Sequence, residues 1–429
     1  MKLLIKTYLF LSLTTCPLVA CAYLDPGSGN ALVYLLFSLA GALIYFIKSS
    51  FYKFLGLFNK NYSTETKTKT DLSNVVIFSE DKSYWLTYKP IVKEFIKRQI
   101  NFAYLSMDVE DPGLTIDNPF MHSKYVGKGN SGFAKIASCR AKVMLSTTPN
   151  IGTPGYPLTR PRNVKTLAYI YHAVADTSYL KIGALDNYDA SLNVGKWVEP
   201  RIRQIEQIRN IKNKECVAVG LPYLDVLGQQ VAQRQKTNLG QTTVLFAPSW
   251  GEKNCLNVYG IDFLLNLVES DYQVIIRPHP QSIKFDTKLY DDLKKKLINH
   301  HNVTFDYKID ASESMRRADI LISDASSFRF DFAFLYKKPV LTIDVPLGNL
   351  ATYEASLLGG PWDQDLGVRL GEVYSPAQNE SICTVVNRLI NRKDMATEIQ
   401  KLFNEIVASH GHSAEKIVDW VDNKLIETK

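Results

Sequence analysis

From Asn74 onward, short runs of β-branched and aromatic residues alternate with longer stretches whose apolar positions recur every three or four residues. The short runs read as strands and the longer stretches as amphipathic helices. Their alternation predicts parallel sheets covered by helices. One series of strands is expected at Val75–Phe78, Phe102–Leu105, Val143–Leu145, Leu167–Tyr171 and Val217–Val219. A second is expected at Val244–Ala247, Val274–Arg277, Val303–Tyr307, Ile320–Ser323 and Val340–Ile343. Helices should lie between them, among them Ile261–Val268, Lys288–Ile298, Ser312–Arg317 and Phe328–Leu335. A seam rich in Gly, Gln and Thr at Leu227–Thr243 separates the two series, and Ser381–Leu425 reads as two or more helices packing back on the body. The expected fold class is α/β, with two tandem Rossmann-like, doubly wound domains at 73–230 and 241–429.

The N-terminal residues follow a different pattern. Residues 1–22 have a short basic start, an apolar stretch (Tyr8–Ala20) and small residues near Cys21, the layout of a secretory signal. Leu18-Val19-Ala20-Cys21 also resembles a lipobox, with Cys21 as the lipid attachment site; the alternative is an uncleaved apolar helix. Within 23–58, the Pro and Gly residues of Tyr23–Gly29 break any helix, and Ala31–Ile47 is an uncharged apolar run of the minimum length for a tilted spanning helix. Lys48, Lys53 and Lys60 follow, which places the body in the cytoplasm by the positive-inside tendency. Residues 59–72 read as a polar linker. The expectation is a single-span anchor in a bacterial inner membrane.

Charge and cysteine content narrow the picture. The net charge of +7 is concentrated before residue 70, where seven lysines face only Asp25 and Glu65. An excess placed beside apolar segments points to a membrane surface and away from nucleic acid. The cysteines (Cys16, Cys21, Cys139, Cys216, Cys255, Cys383) show no paired short spacing, which argues against a disulfide framework or a zinc knuckle. No P-loop is present, so ATP hydrolysis loses its main support.

Doubly wound domains bind ligands beyond the carboxyl ends of their strands. Three constellations fall there. In Arg277-Pro278-His279-Pro280 two prolines fix a non-helical turn that presents an imidazole, and Arg277 can make a forked phosphate contact. In the stretch from Ser323 to Asp331 a buried strand runs into small hydroxyl residues and then a helix. Ser326, Ser327 and the N–H groups of that helix start form an anion cradle, or alternatively the serines are helix caps. Asp331 lies in the helix's first turn or so. In Tyr171-His172-Ala173 a histidine ends a strand of the first domain, placed to take a proton from an acceptor hydroxyl. Pro248 and Ser249, in Phe246–Gly251, are expected to line a donor pocket. Asp363-Gln364-Asp365 has the spacing of a carboxylate pair but reads as solvated loop, and no metal site or cofactor is expected.

In order along the chain, these motifs resemble the CDP-glycerol glycerophosphotransferase family, which includes teichoic-acid primases and polymerases of the GT-B fold. The resemblance covers roughly 172–344 and rests on Phe246–Trp250, Arg277–Pro280, the set Asp324, Ser326, Ser327 and Asp331, and Gly220, Pro222 and Asp225 at the hinge. It implies transfer of glycerol phosphate, or a similar polyol phosphate, from a CDP-polyol to a lipid-linked or polysaccharide acceptor in envelope polymer synthesis, with release of CMP. It also implies roles. His172 would be the base on the acceptor, and His279 would bind or neutralise the donor pyrophosphate. Arg277, Asp324, Ser326, Ser327, Pro248 and Ser249 would serve the donor, and Asp331, Gly220 and Asp225 would support them. The family's His-Gly-x-Pro-Leu-Lys pattern is altered here: the run is His172-Ala173-Val174-Ala175-Asp176-Thr177-Ser178-Tyr179-Leu180-Lys181, with the Gly and Pro missing and the lysine displaced. The competing expectations are a GT-B glycosyltransferase or epimerase using a UDP-sugar, and a non-catalytic membrane scaffold.

Overall fold

A computed structural model describes residues 74–232, 240–308, 310–363 and 365–427. The expected signal segment, spanning helix and linker lie outside the described residues. No helix among the described residues is long and apolar enough to cross a membrane.

Two parallel sheets organise the body. The first has seven strands in the order β3-β2-β1-β4-β5-β6-β7: β1 Val75–Ser79, β2 Phe102–Ser106, β3 Met121–Tyr125, β4 Arg140–Ser146, β5 Asn163–Ile170, β6 Ala190–Asn193 and β7 Glu215–Ala218. The second has six in the order β10-β9-β8-β11-β12-β13: β8 Thr243–Phe246, β9 Gln273–Ile276, β10 Val303–Phe305, β11 Ile320–Ser323, β12 Val340–Ile343 and β13 Gly371–Tyr374. The central strands β1, β8, β11 and β12 are buried along their whole length, which is why they read as continuous apolar runs rather than alternating ones. In each sheet the winding reverses beside the first strand, between β1 and β4 and between β8 and β11. A crevice opens at such a reversal.

The hinge helix (Pro222–Ala232) leaves the first sheet immediately after β7, occupying the start of the segment expected as a seam. The C-terminal part forms three helices, Ile382–Ile390, Met395–Ile406 and Ser413–Glu427. The last lies within the range 241–429 expected for the second domain. Yet Ile417, Val418 and Val421 bury into the apolar cluster under β1, β2, β4 and β5, and Trp420 donates its indole N–H to Glu215 at 2.9 Å.

That return crossing depends on close backbone approach. A Cβ on Gly220, whose φ is +90°, would lie 2.2 Å from the Ala408 carbonyl oxygen. Asp225 accepts the Gly411 and Ser413 N–H groups at 2.8 and 2.9 Å, capping the last helix from another element. Gly220 and Asp225 therefore serve the hinge rather than a ligand.

Candidate active site

Each lobe presents one cavity at the carboxyl edge of its sheet. The first, of about 260 Å³, is lined by His172, the chain that follows it to Leu180, and Ala325, Ser327, Phe330, Trp362 and Asp363 of the second lobe. The second, of about 300 Å³, is lined by Pro248, Arg277, His279, Ser326, Ser327 and Asp331 among others. Ser327 belongs to both. The two histidines singled out from the sequence thus stand in adjoining cavities with one serine between them.

His172 follows β5, and its ring stands edge-on to Tyr84, with centroids 4.9 Å apart. The ring is open to the cavity yet crowded by protein, and the second effect governs its titration: loss of bulk water holds its pKa down, at about 4. It is therefore neutral at physiological pH and free to accept a proton. Anionic phosphates arriving next door would raise that pKa and strengthen it as a base. Just after β1, Glu80 accepts from the Tyr156 hydroxyl at 3.3 Å.

His279 both caps a helix and faces the cavity. Its Nδ1 accepts the Gln281 N–H at 3.1 Å, capping the helix Pro280–Phe285. That bond fixes the tautomer, leaving Nε2 to carry the proton and donate. Burial holds its pKa below the ordinary value, against the opposing pull of Asp324. Without a ligand the imidazole is a neutral hydrogen-bond donor. The Trp250 ring stacks near it at 6.2 Å.

The serines divide their work. Ser326 Oγ accepts the Phe328 N–H at 3.3 Å, whereas Ser327 occupies the cap position of the helix Phe328–Tyr336 without using its side chain for capping. Its hydroxyl remains for a ligand, at a helix start where backbone dipoles favour anions. Asp331, one turn on, accepts the Tyr223 hydroxyl at 2.6 Å, and burial raises its pKa to about 7.

Two expected phosphate ligands already have protein partners. Arg277 lines the second cavity, and its guanidinium donates to Asp306 at 2.5 Å and to the Lys308 carbonyl at 2.8 Å. Asp324 is fully buried and accepts the Ser249 and Cys255 N–H groups, each at 2.7 Å. A carboxylate would repel phosphate; here it pins the loop after β8 and the helix Cys255–Tyr259. Pro248 lines the second cavity, while Ser249 is absent from its wall and is held through its backbone.

The most consequential residue missed in the sequence is Asp363. Only 5% exposed, it is not solvated loop. It accepts from Arg329 Nη2 at 2.6 Å and from the Tyr179 hydroxyl at 2.6 Å, joining the lobes. Arg329 also donates Nε to the Ser326 carbonyl at 3.0 Å, so one guanidinium steadies both the serine turn and the interlobe clasp. Asp176, paired with Arg201, holds the middle of the altered loop, and Ile182 N–H donates to the Thr352 carbonyl at 2.9 Å. The Trp197, Trp362 and Phe330 rings stack in series, the last two lining the cavity. The aromatic and Arg content of these segments was the available signal, but pairing across 184 residues of sequence between Tyr179 and Asp363 has no local signature.

Residues 186–421, more than half of the chain, match the model of the CDP-glycerol:poly(glycerophosphate) glycerophosphotransferase family. The chain belongs to this family. It is an enzyme of the CDP-glycerol-dependent glycerophosphotransferase type. No curated protein matches the chain in a sequence search. Among solved structures, the chain is similar to the wall teichoic acid polymerase TagF, at 15% identity and a TM-score of 0.52, over 85% of this chain and 91% of that one. It is also similar to the UDP-GlcNAc 2-epimerase of Methanocaldococcus jannaschii, at 13% identity and a TM-score of 0.53, over 81% of this chain and 99% of that one. At such identities both likenesses speak for a shared GT-B-like fold, and they do so equally. The family match separates this glycerophosphotransferase from the epimerases.

Proposed function

We propose that the cavity at His172 receives the acceptor hydroxyl and the cavity at His279 receives CDP-glycerol, with the reacting phosphorus at Ser327. The shared wall at Ser327 carries this reading, because transfer needs the two substrates to meet without crossing solvent. His172 takes the acceptor proton as the acceptor oxygen bonds to the glycerol-bearing phosphorus. The bond from that phosphorus to the bridging oxygen of CMP breaks, and its electron pair leaves with CMP. His279 Nε2–H, the Ser327 hydroxyl and the helix start at Phe328 stabilise the charge that builds on the phosphates. Asp331 and Tyr223 tie the donor cavity to the hinge, and Asp324 and Arg277 hold its walls.

The first lobe serves as acceptor domain and the second as donor domain, in polymer synthesis at the cell envelope. The apolar run Ala31–Ile47 and the lysines after it support anchorage in the inner membrane with the body in the cytoplasm, which suits an acceptor carried on a lipid or a growing polymer. Incubation of membranes containing the protein with labelled CDP-glycerol should yield CMP and a labelled envelope product. His172→Ala and His279→Ala should each lower turnover by about a hundredfold or more while circular dichroism stays unchanged. Full turnover by either variant would refute the assignment.

A further inference from the structure

We infer that Glu354, which the second lobe sets into the first, is a positioning residue for the transfer: it holds the loop after His172 in the shape that walls the acceptor cavity. The inference rests on the His172 cavity being the acceptor site. The chain between β12 and β13 leaves its own sheet and lies along that loop. Glu354 N–H donates to the Leu180 carbonyl and Ile182 N–H donates to the Thr352 carbonyl, each at 2.9 Å, which makes Lys181 and Tyr353 a facing antiparallel pair. The Glu354 residue is 3% exposed. Its Oε1 accepts the Gly183 N–H at 2.8 Å and lies 3.5 Å from Arg209, which is itself forked onto Asp186. Its Oε2 has no hydrogen-bond partner. A buried carboxyl left half satisfied is costly, and what it secures here is the Gly183 end of the loop.

Glu354 does not line the cavity, whereas Tyr179 and Leu180 do, so it acts through the loop and touches no reacting group. The loop's inner half is tied within the first lobe, Asp176 to Arg201 and the Ser178 N–H to Asp176. Its outer half is tied across to the second lobe, Tyr179 by Asp363 and Leu180 to Gly183 by residues 352–354. Removing the carboxyl would leave the buried Gly183 N–H and the Arg209 guanidinium facing a gap, and the outer half would shift to find other partners. A misplacement of about 1 Å that starts far from the chemistry lowers a rate by about a hundredfold. The donor lobe thus helps to build the acceptor wall, and the acceptor site takes its full shape only with the lobes together.

The test reads CMP release from CDP-glycerol by the full chain in its membranes. Glu354→Ala should lower kcat by about tenfold or more while the KM for CDP-glycerol stays within about twofold, because neither the loop nor residues 352–354 line the donor cavity. Glu354→Gln should keep about half of kcat or more, since its amide oxygen can take the Gly183 N–H and its nitrogen falls where Oε2 has no partner. Lys181→Cys with Tyr353→Cys supplies an independent tie. Facing residues of this kind of antiparallel pair have Cα atoms about 4.5 Å apart, within disulfide reach. Added to Glu354→Ala, the oxidised pair should raise kcat by about fivefold or more, and dithiothreitol should remove the gain. An unchanged kcat in Glu354→Ala overturns the inference, as does a rise in the KM for CDP-glycerol with kcat kept, or loss of the native circular dichroism spectrum in the purified variant. A disulfide verified by mass spectrometry that leaves the loss unrepaired overturns it as well. Full turnover by His172→Ala overturns the acceptor-site reading itself and the inference with it.

Discussion

A histidine whose Nδ1 already accepts a backbone N–H has one way left to meet a phosphate, through the proton on Nε2. His279→Asn should keep the cap on its helix, because the amide oxygen can take the place of Nδ1, while misplacing the donor. The expected result is a KM for CDP-glycerol raised about tenfold with little change in stability, whereas His279→Ala should lose both function and about 1 kcal/mol of stability. Denaturant midpoints of the two variants check this. The pH profile follows from the same residues. Burial lowers the pKa of His172 and His279, so both are unprotonated at neutral pH and protonate only as the pH falls below the ordinary histidine value. The kcat/KM of the free enzyme should therefore be flat through neutrality and fall on an acid limb centred below about 6.5. An acid limb centred above 7 would contradict a neutral base. The histidines and serines were legible because strand ends, prolines and small hydroxyl residues mark them locally. The true duties of Arg277 and Asp324 were not, since their partners Asp306, Ser249 and Cys255 come from other turns of the fold.

Elements show the same division. The buried strands were legible because their apolar runs carry the signal, but β3, β6 and β13 were not. Met121–Tyr125 is a polar edge strand, Ala190–Asn193 is short with two polar residues, and Gly371–Tyr374 opens on a glycine that a Cβ would drive to within 2.1 Å of the Val340 carbonyl oxygen. Strands of this kind take their identity from the neighbour they pair with. At the hinge, Gly220→Ala should cost roughly 3 kcal/mol through a strained φ and a backbone collision. Asp225→Ala should cost about 1–2 kcal/mol by uncapping the last helix. Chemical denaturation of both variants measures these losses. A neutral Gly220→Ala would mean that the chain near Ala408 can move aside.

Across the whole molecule, the lobes are held by the Arg329–Asp363–Tyr179 clasp. Asp363→Ala leaves Arg329 buried without its anion and should cost roughly 3–5 kcal/mol, while Tyr179→Phe removes one hydrogen bond and should cost about 1 kcal/mol. Comparable losses in the two variants would show that Arg329 finds another partner. The sequence by itself determined the α/β class, the two series of strands, and the positions of both histidines and the serine turn, because periodicity and turn chemistry act over a few residues. Tertiary structure alone decided that Ser327 separates the two cavities, that Asp363 is a buried tie, that the last helix belongs to the first lobe, and which charged groups are left for a substrate. Those outcomes depend on which surfaces meet after the chain has folded, and on the dielectric and partners found there, neither of which is written in the spacing of residues along the chain.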